Sequence, residues 1–381
     1  MRLLKQSPIY IMFSLALLIV AAILSAEADG IITAVLTIPT FGYVSLTESV
    51  NKIVVPNTFL KSKLFNRPAT HATKIIQADI IVGNQKLAPF VRRGAPGKNV
   101  SQLGRKTSLF EPPNVRMKIP LTAEDLLFTR AEGSPIHVVG SDGGNEMQNY
   151  RMKKIAMEQQ NMKDRATRAI EWMCSQVLAG SVSYVSDDVE FSIDYQMPAA
   201  NKPTLTGGAL WSAPSTATPL ANLRTWKLIV RKATGRVPTI AIMTSDVWEA
   251  FRKCDEVKTY FDKLKIDPGS IKTNQNELEM GAERVAQIEN VDFYVYDEYY
   301  TDAGGSQQPM VAADRFVLTT PTPEKKTHYG AIEDLKAGTV VGEYFSKDWV
   351  EEDPSVYWIL VETHPLPVDH YPETNVYAKV L

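Results

Sequence analysis

From Met147 to Leu178 the chain has no glycine and no proline, and Met152, Ile155, Met162, Ala166, Ala169, Met173 and Val177 recur at helical spacing. Gly180 follows as a stop, the residue type that most easily leaves a helix end. At 1.5 Å of rise per residue, a helix of about 30 residues is about 45 Å long. Ordinary core helices are about a third of that length. A rod of this size fixes the architecture: the rest of the chain must lie along it. The segment predicts a structural spine.

Extended segments surround the spine. Residues 31–55 are apolar-rich between Pro39 and Pro56 and read as an arm. "KIIQADIIVGNQKLAPFVRRGAPG" alternates, turns at Gly83-Asn84 and reaches a tip at Gly94-Ala95-Pro96-Gly97, and "RKTSLFEPPNVRMKIPLT" returns. Residues 75–121 therefore predict one long β-ribbon with a basic tip. Such a ribbon is weak alone and is expected to lie on another surface. Thr122 predicts a cap for a short helix with Glu124 and Asp125 in its first turn, and "GSDGG" from Gly140 to Gly144 predicts a loop. "SVSYVSDDVEFSIDY" predicts a hairpin turning at Ser186-Asp187-Asp188. Residues 198–219 read as loop, Leu220–Thr234 as a helix closed by Gly235, and Thr239–Met243 as a buried strand followed by one helix through Leu264. "VDFYVYDEYYTDAGGSQQPMVAADRFVLTT" predicts a second hairpin around Asp302-Ala303-Gly304-Gly305. Strands separated by Pro354, Pro365, Pro367 and Pro372 complete the chain, an α+β pattern without internal repeats.

The net charge of −2 gives no reason for nucleic-acid binding, but it hides an asymmetry. Lys52–Lys118 holds 13 Lys/Arg against Asp79 and Glu111. Ala241–Asp302 holds 14 acids against 7 bases, and Glu343–Glu373 holds 8 acids and Lys347 alone. Copies of such a chain can complement each other. The candidate contact residues are Arg92, Arg93, Lys98, Arg105 and Lys106 on the ribbon. Cys174 and Cys254 lie in apolar helical patterns and read as buried thiols rather than a disulfide. The Asn99-Val100-Ser101 sequon carries little weight, since such triplets are common.

No phosphate-binding loop, dinucleotide fingerprint, His-Glu-x-x-His, Cys-x-x-Cys or nucleophile elbow occurs. His364, Asp369 and His370 in "HPLPVDHYP" read as a proline-stiffened surface turn before a metal site. Asp142, Asn145 and Glu146 do not match a calcium loop. Asp187-Asp188 and Asp297-Glu298 read as turn or edge acids, and Trp211, Trp226, Trp248 and Trp349 as core or interface anchors. No catalytic residue, cofactor or metal is expected. Extensions, a spine and complementary charge favour an assembly subunit over an enzyme.

Four blocks in order carry a resemblance: "FLKSKLFNRPATHATKIIQADIIVGNQKLAPFVRRGAPG", "YRMKKIAMEQQNMKDRATRAIEWMCSQVLAGSVSYV", "IAIMTSDVWEAFRKCDEVKTYFDKL" and "HYGAIEDLKAGTVVGEYFSKDWVEEDPSVYWILVETHPLPV". From about Leu46 to Leu381 the chain resembles the lambda-type major capsid proteins of tailed phages. The resemblance implies the capsid fold shared with encapsulins. It implies an N-arm (39–74), an extended loop (75–121), a peripheral domain with the spine helix (122–231), an axial domain (232–323) and C-terminal strands rejoining the peripheral domain (324–381). The implied partners are further copies in pentamers and hexamers, portal, scaffold and decoration proteins, and packaged double-stranded DNA held non-specifically. The implied place is the virion capsid, assembled in the bacterial cytoplasm. Two alternatives are an encapsulin-like compartment shell and an exported or membrane-anchored binding protein.

The second alternative comes from residues 1–38. "MRLLKQSPIYIMFSLALLIVAAILSAEADG" has a basic start, an apolar run and small residues at Ala26-Glu27-Ala28, the three parts of a secretory signal. This segment lies outside the resemblance and is expected to be absent from the mature subunit, which would have no membrane contact.

Overall fold

The computed structural model describes residues 43–52, 58–81, 87–94, 96–99, 105–122, 125, 143–185, 190–264, 281–302, 304–335, 337–353 and 355–381. The spine is the helix Gly143–Ala179, 37 residues long. It starts inside the expected loop, because glycine costs little in a first turn whose N–H groups have no helical partner in any case. It ends where expected. Gly180 has φ +91°, and a Cβ there would stand 2.7 Å from the Cβ of Met197.

The helix buries Ile155, Met162, Ala166, Ile170, Met173, Cys174, Val177 and Leu178. Met152 is half exposed and Ala169 is partly exposed, so the apolar stripe starts a turn later than its sequence pattern. Beside the stripe runs a buried polar row, Gln159, Lys163, Thr167, Glu171 and Ser175, four residues apart and therefore stacked along one face. Gln159 accepts from Ser49 Oγ at 3.3 Å and donates to Ser346 Oγ at 3.2 Å. Lys163 Nζ donates to Val50 O at 2.5 Å, and burial lowers its pKa. Thr167 Oγ1 lies 3.4 Å from the Tyr344 hydroxyl. Glu171 accepts from Leu60 N at 2.7 Å, Lys61 N at 2.9 Å and the Tyr296 hydroxyl at 2.8 Å.

The arm is held by this row. Its expected extended form is wrong over Tyr43–Lys52, which is a helix. Leu46 and Val50, one turn apart, bury the same face, and Thr47 Oγ1 donates to Ser346 O at 3.1 Å. The short helix Phe59–Lys63 points its first N–H groups at Glu171, a favourable place for a carboxylate. Residues 31–42 and 53–57 lie outside the described residues.

A second core fills the five-stranded sheet, in the order Val376–Lys379, Arg315–Thr319, Ile240–Met243, Val291–Tyr296, Ala282–Ile288. Pro219–Thr234, Ser245–Lys253 and Asp255–Leu264 are helices, and Trp211, Trp226, Phe251, Phe293 and Phe316 form the aromatic centre. The one helix expected after Met243 is two. Cys254 takes an extended ψ of 136°, and Asp255 N bonds Pro214 O instead of continuing the first helix. The expected second hairpin survives only at its tip, Tyr299–Thr301 against Gln307–Pro309. Its longer arms flank Ile240–Met243 instead, because that buried strand needs partners on both edges. Val376–Lys379 closes this sheet, so the last strand does not follow the rest of the C-terminal segment.

Two three-stranded sheets complete the body. Val115–Thr122 pairs with Val356–Thr363, which also pairs with Phe345–Glu351. The expected single ribbon is thus shorter, and its return strand turns away after Phe110 at Pro112 and Pro113. Pro68–Thr70 pairs with Lys325–Tyr329, which pairs with Pro365–Asp369. The expected surface turn at Pro365–Asp369 is a fully buried strand, and its prolines are tolerated on a sheet edge. The hairpin Ser181–Val185 with Glu190–Asp194 forms as read, its turn lying outside the described residues. Thr122 and Asp125 bond reciprocally, Asp125 Oδ2 accepting from Thr122 N at 3.1 Å and Thr122 Oγ1 accepting from Asp125 N at 3.2 Å. Both cysteines are buried and free.

Four substitutions test the spine and its contacts. Met162→Pro prevents folding, since an interior proline costs about 3 kcal/mol or more, while Met162→Leu keeps urea stability near wild type. Glu171→Ala leaves two backbone N–H groups and a phenol without their acceptor and costs about 3 kcal/mol. Tyr296→Phe removes one donor and costs about 1.5 kcal/mol. Equilibrium denaturation of both variants checks this order.

Candidate assembly interface

The ribbon pairs Ile76–Ile81 with Arg105–Phe110 in register from Ile76↔Phe110 to Ile81↔Arg105. Its root is built into the body. Ile76, Ile80 and Phe110 are buried, and the Phe110 ring packs 5.8 Å from that of Tyr195. His370 Nδ1 donates to Asp79 O at 2.7 Å, and Lys74 pairs with Glu111 at 2.7 Å across the two strands. Its outer part is the opposite. Leu87 and Phe90 are 87% and 90% exposed, and Arg92, Arg93 and Lys98 beside them are exposed too. Arg105 and Lys106 sit on the return strand opposite Ile81 and Ile80. The expected contact residues thus divide between a strand and a tip.

The acidic blocks divide as well. Of the eight acids in Glu343–Glu373, Glu362 and Asp369 are buried, and Glu343, Asp348 and Glu373 are partly covered. Glu362 serves the sheet, facing Arg116 at 3.5 Å. Glu351, Glu352 and Asp353 are exposed together at the turn between Phe345–Glu351 and Val356–Thr363. In the other block, Asp297 is occupied in capping Ser245 N at 2.9 Å, while Asp246, Glu249, Asp255 and Asp262 are exposed along two helices.

Three histidines sit under the ribbon root. His71 Nε2 and His328 Nδ1 are 2.8 Å apart, and the His328 ring meets that of His370 edge-on at 5.6 Å. Burial, then the neighbouring His370, pushes the His328 pKa down to about 4. The candidate metal residues do not converge: His364 bonds Ala331 O, His370 bonds Asp79 O and Asp369 bonds Asn375. Among the described residues no group of three His, Cys, Asp or Glu is placed to hold a metal, and no helix is long and apolar enough to cross a membrane. Asp142 and Asp187-Asp188 lie outside the described residues.

A body with two cores, crossed by a long helix and extended by a ribbon with an uncovered tip, is the capsid fold of tailed phages. The family model for phage major capsid protein E matches residues 42–380, and the chain belongs to that family. Its role is that of the major capsid protein, which forms the phage shell. This supports the capsid reading over the encapsulin alternative, while residues 1–38, on which the exported reading rests, lie outside both the match and the described residues. Among solved structures, a putative capsid protein of an Escherichia coli CFT073 prophage is similar at a TM-score of 0.68 and 18% identity, covering 90% of this chain and 100% of that one. A phage-related protein of Bordetella bronchiseptica follows at a TM-score of 0.48 and 13% identity, covering 90% and 98%. No curated protein is detectably similar in sequence.

The histidine cluster gives a pH prediction. The folded pKa of His328 lies below its ordinary value of 6.5. Its contribution is therefore complete above that value and lost as pH falls toward about 4. Urea denaturation at neutral and mildly acidic pH finds wild type losing more stability than His328→Asn. An equal loss in both contradicts the assignment.

Proposed function

We propose that the ribbon is the contact by which one subunit grips the next, with Arg92, Arg93, Lys98, Arg105 and Lys106 facing acids of a neighbouring copy. The observation that supports this reading is the contrast along the ribbon: a root buried by Ile76, Ile80 and Phe110, and a tip that leaves Leu87 and Phe90 in water. Large apolar side chains beside cations suit a protein surface better than solvent. The exposed run Glu351–Asp353 and the acids of the two helices after Met243 are the acceptors of matching charge.

On this reading the segments work as the resemblance implies. Residues 39–74 act as N-arm, 75–121 as extended loop, 122–231 as peripheral domain, 232–323 as axial domain and 324–381 as strands rejoining the periphery, apart from Val376–Lys379, which pairs into the five-stranded sheet. The subunit's work is mechanical rather than catalytic. Copies gather as pentamers and hexamers in the host cytoplasm, with portal, scaffold and decoration proteins as partners, and enclose double-stranded DNA without reading its sequence.

Each exposed ion pair contributes only about 0–1 kcal/mol, and salt screens it over about 10 Å at 0.1 M. Repetition around a shell makes the sum decisive. Arg92→Glu with Arg93→Glu leaves the subunit folded and lowers the yield of empty shells, and wild-type yield falls as salt rises. Particle counts without DNA measure both. A double variant that builds empty shells normally and fails only to retain DNA turns the ribbon toward the genome and overturns this partner.

A further inference from the structure

A polar cluster lies deep at the seam between the five-stranded sheet and the sheet of Lys325–Tyr329. Thr319, Lys325, Asp369 and Asn375 are all 0% exposed. Lys325 Nζ is 2.8 Å from Asn375 Oδ1, 2.5 Å from Thr319 Oγ1 and 2.9 Å from Thr320 O. Thr319 Oγ1 donates to Asn375 Oδ1 at 2.6 Å. Asn375 Nδ2 donates to Asp369 Oδ2 at 2.7 Å, and that oxygen lies 3.6 Å from Lys325 Nζ. Asp369 Oδ1 is fixed by Tyr371 N at 2.9 Å, and Asn201 Nδ2 donates to the Asn375 backbone carbonyl at 2.7 Å.

A plain buried ion pair would set the ammonium directly on the carboxylate. Here the amine is nearer the amide than the acid, and the amide bridges the two. The arrangement matches the needs of amide exchange. The amine lies 2.8 Å from the side-chain carbonyl oxygen, one bond from the carbon it would attack. The carbonyl oxygen, where negative charge develops on attack, already accepts from a hydroxyl. The amide nitrogen, which must leave, already faces a carboxylate able to carry a proton. Burial lowers the Lys325 pKa, which favours the uncharged nucleophile.

We propose that Lys325 and Asn375 join in the folded subunit through an intrachain isopeptide bond, with Asp369 as proton carrier and Thr319 as oxyanion donor. The Nζ lone pair adds to Cγ of Asn375, and the charge that forms on Oδ1 rests on the Thr319 hydroxyl. Asp369 takes a proton from Nζ and passes it to Nδ2. The Cγ–Nδ2 bond then breaks and ammonia leaves, carrying the two hydrogens of the amide and the one from the lysine. The new Cγ–Nζ amide keeps a single hydrogen, and no oxidant, metal or cofactor takes part. The bond closes a loop between positions 50 apart in sequence. It staples the strand Lys325–Tyr329 to Val376–Lys379, the edge of the other sheet.

The test is mass spectrometry of the purified, fully denatured full chain, with a peptide map. The expected result is a branched peptide joining the Lys325 and Asn375 fragments, lighter by one ammonia than the two fragments linked without that loss would be. Asp369→Ala and Lys325→Met return those fragments unbranched. Wild-type fragments recovered separately overturn the bond, as does loss of ammonia from the Asn375 fragment with no branch. A branched peptide that persists fully in Asp369→Ala overturns the role of Asp369. The wild-type map decides the bond itself even if a variant does not fold.

Discussion

The carboxylate of Glu171 is the point on which the subunit turns. It lies on the long helix, 2% exposed, and its acceptors are filled from two directions. Two backbone N–H groups come from the arm helix Phe59–Lys63, and one hydroxyl comes from Val291–Tyr296 in the five-stranded sheet. Burial raises its pKa, and the backbone donors of Lys61 and Leu60 and the Tyr296 hydroxyl oppose that rise. A buried carboxyl group held by hydrogen bonds resists displacement, because any shift leaves groups without partners. Arm, spine and sheet therefore take one relative position. Gln159, Lys163 and Thr167 extend the same constraint along the helix toward Ser346, Val50 and Tyr344.

The interior and the ribbon follow opposite rules. Inside, polar groups are matched at the junctions: Glu171 at the arm, Glu362 facing Arg116, Lys325 amid Thr319, Asn375 and Asp369. At the ribbon tip, large apolar side chains and cations stay in water. A fixed body with an unsatisfied extension suits a subunit of the phage shell, whose contacts are completed only by its neighbours. Stability resides in the body, and on the proposed reading assembly draws on what the body leaves uncovered.

Much of this was legible from local pattern. The spine was visible because 3.6-residue periodicity persisted without a breaker, and the hairpin after Gly180 because its alternation surrounded a turn. Gly235 marked its helix end, where φ is +74°. The misses have physical causes. Tyr43–Lys52 looked extended because, among its described side chains, Leu46 and Val50 are the buried ones, too few positions for a period to stand out. "HPLPVDHYP" looked like a surface turn because its prolines suggested loop, and only an edge position in a sheet reconciles them with burial. Val115–Thr122 alternates like the rest of the ribbon, yet pairing is a non-local choice that alternation does not specify. Counting charges overstated the acidic blocks, since Glu362 and Asp369 are spent inside the subunit. Glu171 did carry a signal: with Gln159, Lys163, Thr167 and Ser175 it forms a row at four-residue spacing, which apolar counting passes over.

Electron microscopy of the purified protein tests the central claim most directly. A subunit with this fold and this uncovered ribbon forms closed shells or capsomers without any catalytic partner. A population that remains a stable monomer across protein concentration and salt contradicts the account.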